Sequence, residues 1–456
     1  MKTKLFAIKW VLLIIINLSG IQNSFCQIDI ETKKYIDLIR KKIFDDYKGM
    51  YKAPKGNLKY PFITPGSSQY TDQLWDWDSW LTTIALKQIQ LEKGNEKDRL
   101  EALEYEKGCI LNFLEYGGWN GWIPIVVSPN SKTREELMNE RNVFEHNMHK
   151  PCLAQHAALI IQNDKGNAEW IREKFYPLQS FVNCYLNHYK HKATGLIYWK
   201  TDEAIGVDND PTVFYRPNAS TANVYLNTLM YKEILATAYI AKQLEMKEIA
   251  DFYEIEASKL SEAIQKNLWD PKDGFYYSVD LNLKEYSSPK VWWELHVGGP
   301  RTYDCLLMRI GVWSGFMAMW ANIATPQQAK LMVEKNYRDT STFNAPYGVR
   351  TLSKMEKMYD VRASGNPSSW LGPIWINANY LVFKGLVNYG FNEDAKQLAI
   401  KTIHLLGKDF EKNGALHEYY LPESGTAALN KGFQNWNYLV LNMAAWLEGK
   451  PFVSEF

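Results

Sequence analysis

The stretch Phe252-Tyr253-Glu254-Ile255-Glu256-Ala257-Ser258-Lys259-Leu260-Ser261-Glu262-Ala263-Ile264-Gln265-Lys266-Asn267-Leu268 decides the fold class. Leu260, Ile264 and Leu268 recur at i, i+4 and i+8, with Phe252 eight residues earlier on the same face. That spacing gives a helix one apolar stripe and a charged opposite side. Ala395, Leu398, Ala399, Thr402 and Leu405 repeat the pattern. Helical patterns also cover 98–116, 168–190, 219–245, 311–322, 325–336, 372–389 and 433–448. Alternating β-type patterns are short and confined to 121–127 and 274–279. No Gly/Ser linker or fixed-period repeat divides the chain. The expectation is an all-α chain of ten or more helices in one domain, residues 27–456, with a helical toroid and a helical solenoid both compatible with the periodicity.

Composition narrows the function. The 456 residues carry a net charge of +1, so no electrostatic footprint points to nucleic acid or an anionic membrane surface. Aromatic residues are abundant, with 17 Trp, 28 Tyr and 19 Phe, and many Trp stand beside Gly, Pro, Asn and Asp. Most such rings belong to a core. Rings interleaved with polar residues also suit a carbohydrate, whose apolar faces they cover while carboxylates and amides bond its hydroxyls.

Residues 1–26 read as a signal peptide. Lys2, Lys4 and Lys9 form a basic start, Trp10 to Ile21 is a short apolar run, and Ser24 and Cys26 are small residues before a cut at Gln27. Export to the periplasm or beyond is expected, with no membrane span in the mature chain. Phe25 argues against a lipoprotein. Cys109, Cys152, Cys184 and Cys305 match no metal spacing, and their pairing is open. His146, His149 and His156 lack the spacing of a helical zinc pair.

Four segments carry chemistry. They are Gln73 to Trp80, Gly206 to Pro211, Asn366 to Trp375, and His417 to Trp436. Each reads as a loop dense in Trp, Asp, Glu, Asn and Gly. Acetal hydrolysis needs an acid to protonate the leaving oxygen and a second carboxylate across the sugar. Asp208 lies in Asp-Asn-Asp-Pro ahead of a long helix, where a cap is the simpler reading. Glu418 sits among aromatics, where burial would raise its pKa, as it would for a structural Glu.

These segments, in this order, resemble glycoside hydrolase family 63, the group of processing α-glucosidases that is related to the trehalases. Trp77-Asp78-Ser79-Trp80 matches its early motif, and Gly206-Val207-Asp208-Asn209-Asp210-Pro211 its acid motif. Trp370-Leu371-Gly372-Pro373-Ile374-Trp375 matches its Trp-x-Gly-Pro-x-Trp. Glu418-Tyr419-Tyr420-Leu421-Pro422 matches its base motif, and Leu268 to Tyr277 a further one. The resemblance implies an (α/α)6 toroid with short β segments in its loops. It also implies inverting hydrolysis of α-linked glucose- or mannose-type sugars, with Asp208 as acid and Glu418 as base. Asp78, Trp77, Trp370, Trp375 and Trp436 then contact sugar, and no metal or organic cofactor is needed. Two positions depart from the pattern. Leu371 stands where family members carry Arg, and Thr212 follows Pro211 where Arg is usual, which makes Arg216 the candidate substitute. Glu294, in Trp292-Trp293-Glu294-Leu295-His296, is a rival for the base. A trehalase-like hydrolase, a sugar epimerase and a non-hydrolytic glycan-binding protein are the alternatives on such a toroid.

Overall fold

The computed structural model describes residues 28–118, 120–139, 142–283, 302–362 and 367–456. The expected signal peptide lies outside the described residues, and so does Glu294. Among the described residues, no helix is long and apolar enough to cross a membrane.

Six helical segments among the described residues form a closed inner ring. Asp76–Lys93 packs on Leu153–Asn163, which packs on Val224–Gln243. The ring continues through 313–320 (Trp313–Phe316 extended by Met317–Trp320), Ile376–Asn388 and 435–447 (Asn435–Leu439 extended by Val440–Leu447). The last packs back on the first. Alternating with these in the chain are Ile30–Asp46, Glu96–Leu114, Phe175–His188, Lys247–Leu268, Pro326–Met332 and Asn392–Asn413, which form the outer layer. The ring closure decides for the toroid over the solenoid.

Burial separates the two layers. Leu153 to Ile161 is buried at every position, as an element enclosed on all sides must be. Ile30–Asp46 instead buries Thr32, Tyr35, Ile36, Ile39 and Ile43, a one-sided stripe. Lys247–Leu268 buries Leu260, Ile264 and Leu268 as expected, but Phe252 is exposed and Tyr253 takes the inward position. A turn of 100° per residue carries position 252 off a stripe counted in fours. Gly407 lets two outer helices meet, since a Cβ there would stand 2.4 Å from the Tyr35 ring.

The two ends of the ring differ. Connections from inner to outer helices include the tight turns 94–95, 244–246 and 389–391. Gly94 at φ +60° closes the first, and Asn95 caps the next helix by accepting from the Lys97 and Asp98 N–H groups. Connections from outer to inner helices are long, namely 47–75, 115–152, 189–223, 269–312, 338–375 and 414–434. They hold the short antiparallel strand pairs, such as Leu74–Trp75 with Val126–Val127 and Tyr419–Tyr420 with Ala427–Ala428. Strands also occur where expected, at Val126–Val127, Phe275–Tyr276 and Val279–Asp280.

Residues 451–456 form a strap across the inner ring. Gln88 Oε1 accepts from the Val453 N–H at 2.8 Å, and Lys384 donates to Ser454 at 2.8 Å. Trp320 and Tyr380 donate to opposite oxygens of Glu455, each at 2.9 Å. Cys109, Cys152, Cys184 and Cys305 are free thiols.

Candidate active site

Four of the long connections, 47–75, 189–223, 338–375 and 414–434, line a cavity of about 260 Å³, slightly below the roughly 300–1,000 Å³ typical of ligand sites. It is lined by Trp77, Asp78, Asp208, Trp375, Glu418 and Trp436, together with Gln69, Tyr70, Trp75 and Asn430. Six of the eight residues proposed from sequence therefore share one lining. The other two do not. Trp370 stacks behind Trp375 with centroids 4.1 Å apart and planes at 10°, so it backs the wall. Arg216 pairs with Asp280 at 2.7 Å and donates to Thr221 at 3.1 Å. Neither Arg216 nor these two partners belongs to the cavity lining.

Trp77 and Asp78 do not stand in a loop. They occupy the first turn of Asp76–Lys93, and Asp76 rather than a loop residue fixes that turn. The Asp76 carboxylate accepts from the Trp77 N–H at 2.8 Å and from the Lys150 N–H at 2.8 Å. Lys150 also donates its ammonium to both Asp76 oxygens. Asp78 accepts from the Asn435 amide, whose oxygen accepts from Thr82 at 2.8 Å. Burial pushes the Asp78 carboxyl up to about 8, and the neighbouring Asp76 charge adds to the rise. Lys150 and the Asn435 hydrogen bond oppose it.

The acid loop resolves the capping question. Asp210 does the capping, accepting from both the N–H and the hydroxyl of Thr212 at 2.8 Å. Asn223, not the Asp-rich loop, caps Val224–Gln243 by accepting from the Leu226 N–H. Asn209 accepts from the Trp370 N–H at 2.6 Å and so ties this loop to the third motif. Asp208, next to them in the loop, lines the cavity. Gly206, at φ +84°, is required here, because a Cβ would stand 2.5 Å from the Lys150 side chain.

Glu418 is 4% exposed. Its segment is held from both sides. Ile374 and Tyr420 exchange backbone hydrogen bonds, and the Tyr420 hydroxyl donates to Asp409 at 2.8 Å. His417 contacts the same Asp409 at 2.9 Å. Burial pushes Glu418 up to about 7. The Asn430 and Tyr70 hydrogen bonds pull it down, and the Asp208 charge adds to the rise. Both carboxyls belong to the lining of one cavity.

The walls are aromatic. Trp77 meets Trp436 edge-on at 5.2 Å, Trp375 stacks on Tyr419 at 5.0 Å, and Phe433 packs on Trp436 at 4.9 Å. The Trp436 indole N–H has no partner among the described residues. Flat rings and carboxylates in one small cavity suit a sugar ring. His149 and His156 are buried core residues, held neutral by burial at about 4 and about 3. Among the described residues there is no cluster suited to a metal.

Comparison with known proteins agrees with this arrangement. The sequence model of the mannosylglycerate hydrolase MGH1-like glycoside hydrolase domain matches residues 71–437, from just before the first motif to just past Trp436. The chain belongs to this glycoside hydrolase family, which is of the family 63 type. Among its relatives is a probable trehalase of Eremothecium gossypii, 24% identical, covering 80% of this chain and 53% of that protein. The chain thus spans about half the length of that relative. The mannosylglycerate hydrolase MGH1 of Selaginella moellendorffii is 21% identical and covers 90% of this chain and 85% of that protein. A solved structure of similar fold is the GH63 mannosylglycerate hydrolase of Thermus thermophilus in complex with glucose. It has a TM-score of 0.61 and 19% identity, and covers 90% of this chain and 98% of that one.

Tyr70 and Asn430 were not legible as site residues. Tyr70 falls just outside the Trp-dense motif, and Asn430 follows the base motif by a hairpin whose length no motif fixes.

Proposed function

We propose that this protein is an inverting α-glycosidase that releases a single glucose- or mannose-type sugar from small glycosides or oligosaccharides. The observation that carries the reading is the pair Asp208 and Glu418 in one small, Trp-walled cavity. Asp208 protonates the glycosidic oxygen as the bond breaks. Its side chain is half-buried in the cavity lining. Glu418 removes a proton from the water that attacks C1 from the other face. A pKa of about 7 makes it a stronger base than an ordinary carboxylate. Asp78 accepts sugar hydroxyls, while Trp77, Trp375 and Trp436 exclude bulk water. The carboxyls of inverting enzymes stand roughly 6.5–9.5 Å apart, leaving room for that water. The basic, apolar leader supports export of the protein to the periplasm or outside the cell.

The test is a hydrolysis panel of α-linked disaccharides, trehalose, mannosylglycerate and aryl α-glycosides, with product anomers followed by proton NMR. A β-anomer released first from an α-glycoside is the expected result. A retained anomer would overturn the mechanism, and no hydrolysis of any member would overturn the function.

A further inference from the structure

We propose that the loop 429–436 positions both buried site carboxylates through two asparagines, Asn430 holding Glu418 and Asn435 holding Asp78, with Tyr70 as a second donor to Glu418. The inference rests on the reading of Glu418 as the base.

The hairpin provides the starting point. Tyr419 faces Ala428 and Tyr420 faces Ala427, so the register brings Glu418 opposite Leu429, and the Glu418 N–H donates to the Leu429 carbonyl at 3.2 Å. The chain then turns through two consecutive non-glycine residues in the left-handed region, Leu429 at φ +60° and Asn430 at φ +38°. Leucine enters that region only against steric resistance, whereas asparagine tolerates it. This strained turn aims the Asn430 amide at Glu418, to whose Oε2 it donates. Asn430 also lies 3.3 Å from the Tyr70 hydroxyl, which stands 3.3 and 3.4 Å from the two Glu418 oxygens. Asn435, at φ +35°, repeats the device. Its amide donates to Asp78, and Thr82, one turn along the Asp78 helix, donates to its oxygen. Asn437 donates to the His417 carbonyl at 2.8 Å and so fixes the end of the loop to the base segment. Strain held at such positions is a mark of sites that surrounding structure over-determines.

The chemistry explains the choice of amide. An amide N–H donates to a carboxylate and stabilises its ionised form without adding a charge that would compete for the proton. The ionisable groups around Glu418 are Tyr70, Asp78 and Asp208 at the cavity, Tyr419 beside it in the chain, and the His417–Asp409 pair behind its segment. Those around Asp78 are Asp76, Lys150 and, across the cavity, Glu418. No cation contacts Glu418 among the described residues, so the two neutral donors carry its hydrogen bonding.

The test is the pH dependence of kcat/KM for Asn430→Asp, Asn430→Gly and Tyr70→Phe on an aryl α-glycoside that the parent cleaves, with kcat and KM resolved separately. Asn430→Asp keeps the shape and the left-handed preference but sets a second carboxylate beside Glu418. The acid limb should move up by about one pH unit or more, a tenfold loss on that limb. Asn430→Gly and Tyr70→Phe should move it up by less. If the Asn430 variants do not fold, Tyr70→Phe carries the test. An NMR titration of the glutamate carboxyls, with Glu418 assigned by its loss in Glu418→Gln, reads the same shift without turnover. Unmoved limbs with a raised KM would reduce these residues to sugar contacts and overturn the proposal. Full activity in Glu418→Gln would instead overturn the assignment of the base, a distinct failure.

Discussion

Lys150 donates to both carboxylate oxygens of Asp76 at 2.9 Å, with the two side chains 1% and 0% exposed. The ammonium also lies 5.3 Å from the centre of the Trp77 ring. This ion pair sits at the base of the first motif, and the helix turn that presents Asp78 is built on it.

Removing one member strands the other. Lys150→Met should destabilise the protein by about 3–5 kcal/mol, because Asp76 becomes a buried charge without a partner. The double variant Lys150→Met/Asp76→Asn should recover much of that loss. Thermal unfolding of the parent, the two single variants and the double variant tests the coupling. Additive losses would show that the pair does not act as a unit.

The acid limb of kcat/KM should fall near pH 7, well above an ordinary carboxylate. Glu418 must be ionised to act as base, and its carboxyl stands at about 7. Activity on that limb should rise about tenfold per pH unit up to that point. A limb at pH 4–5 would show that Glu418 does not govern it.

Stability should show the opposite sign. A carboxyl raised from an ordinary value to about 7 by the fold gives full stability below the unfolded value, and loses it as pH rises through 7. Glu418→Gln removes that loss. It should raise Tm at pH 8, with a gain on the order of 2 kcal/mol, and leave it unchanged at pH 4. Asp78→Asn should likewise fold well at pH 8 while kcat/KM falls sharply, since Asp78 stands at about 8. Parallel losses of Tm and activity would make Asp78 a structural residue.

Asp208 and Glu418 should separate by leaving group. Asp208→Asn should lose roughly 10²–10⁴-fold on poor leaving groups and much less on glycosyl fluorides. Glu418→Gln should harm both, since each needs an activated water. Equal losses in the Asp208 variant would refute its role as acid.

Arg216→Ala should leave KM and kcat unchanged on small glycosides, because Arg216 is engaged by Asp280 and Thr221. A raised KM would restore it to substrate binding.

Periodicity carried the fold class, because amphipathic stripes such as that of Ile30–Asp46 are local in sequence. It could not carry ring closure, which depends on contact between Asp76–Lys93 and the 435–447 segment. The motifs picked out three carboxyls that share one cavity lining, but not their local setting. Trp77 and Asp78 looked like loop residues because aromatics and acids hid the start of a helix whose later residues are apolar. Trp370 looked like a sugar contact because a buried supporting ring and an exposed wall ring share one composition. Tyr70 and Asn430 stayed invisible because their alignment on Glu418 depends on a backbone turn, not on residue type.

Ring closure also fixes how such a protein can vary. A solenoid lengthens by adding one more repeat at an end, but a ring of six inner segments has no end at which to add one. The strap formed by residues 451–456 reinforces this, since it spans side chains from separate inner helices whose spacing an inserted pair would spoil. Novelty is therefore channelled into the long connections that lead from outer to inner helices, four of which line the cavity. New sugars can be accommodated there by insertion or exchange of a single segment, while the scaffold beneath keeps its count and its geometry.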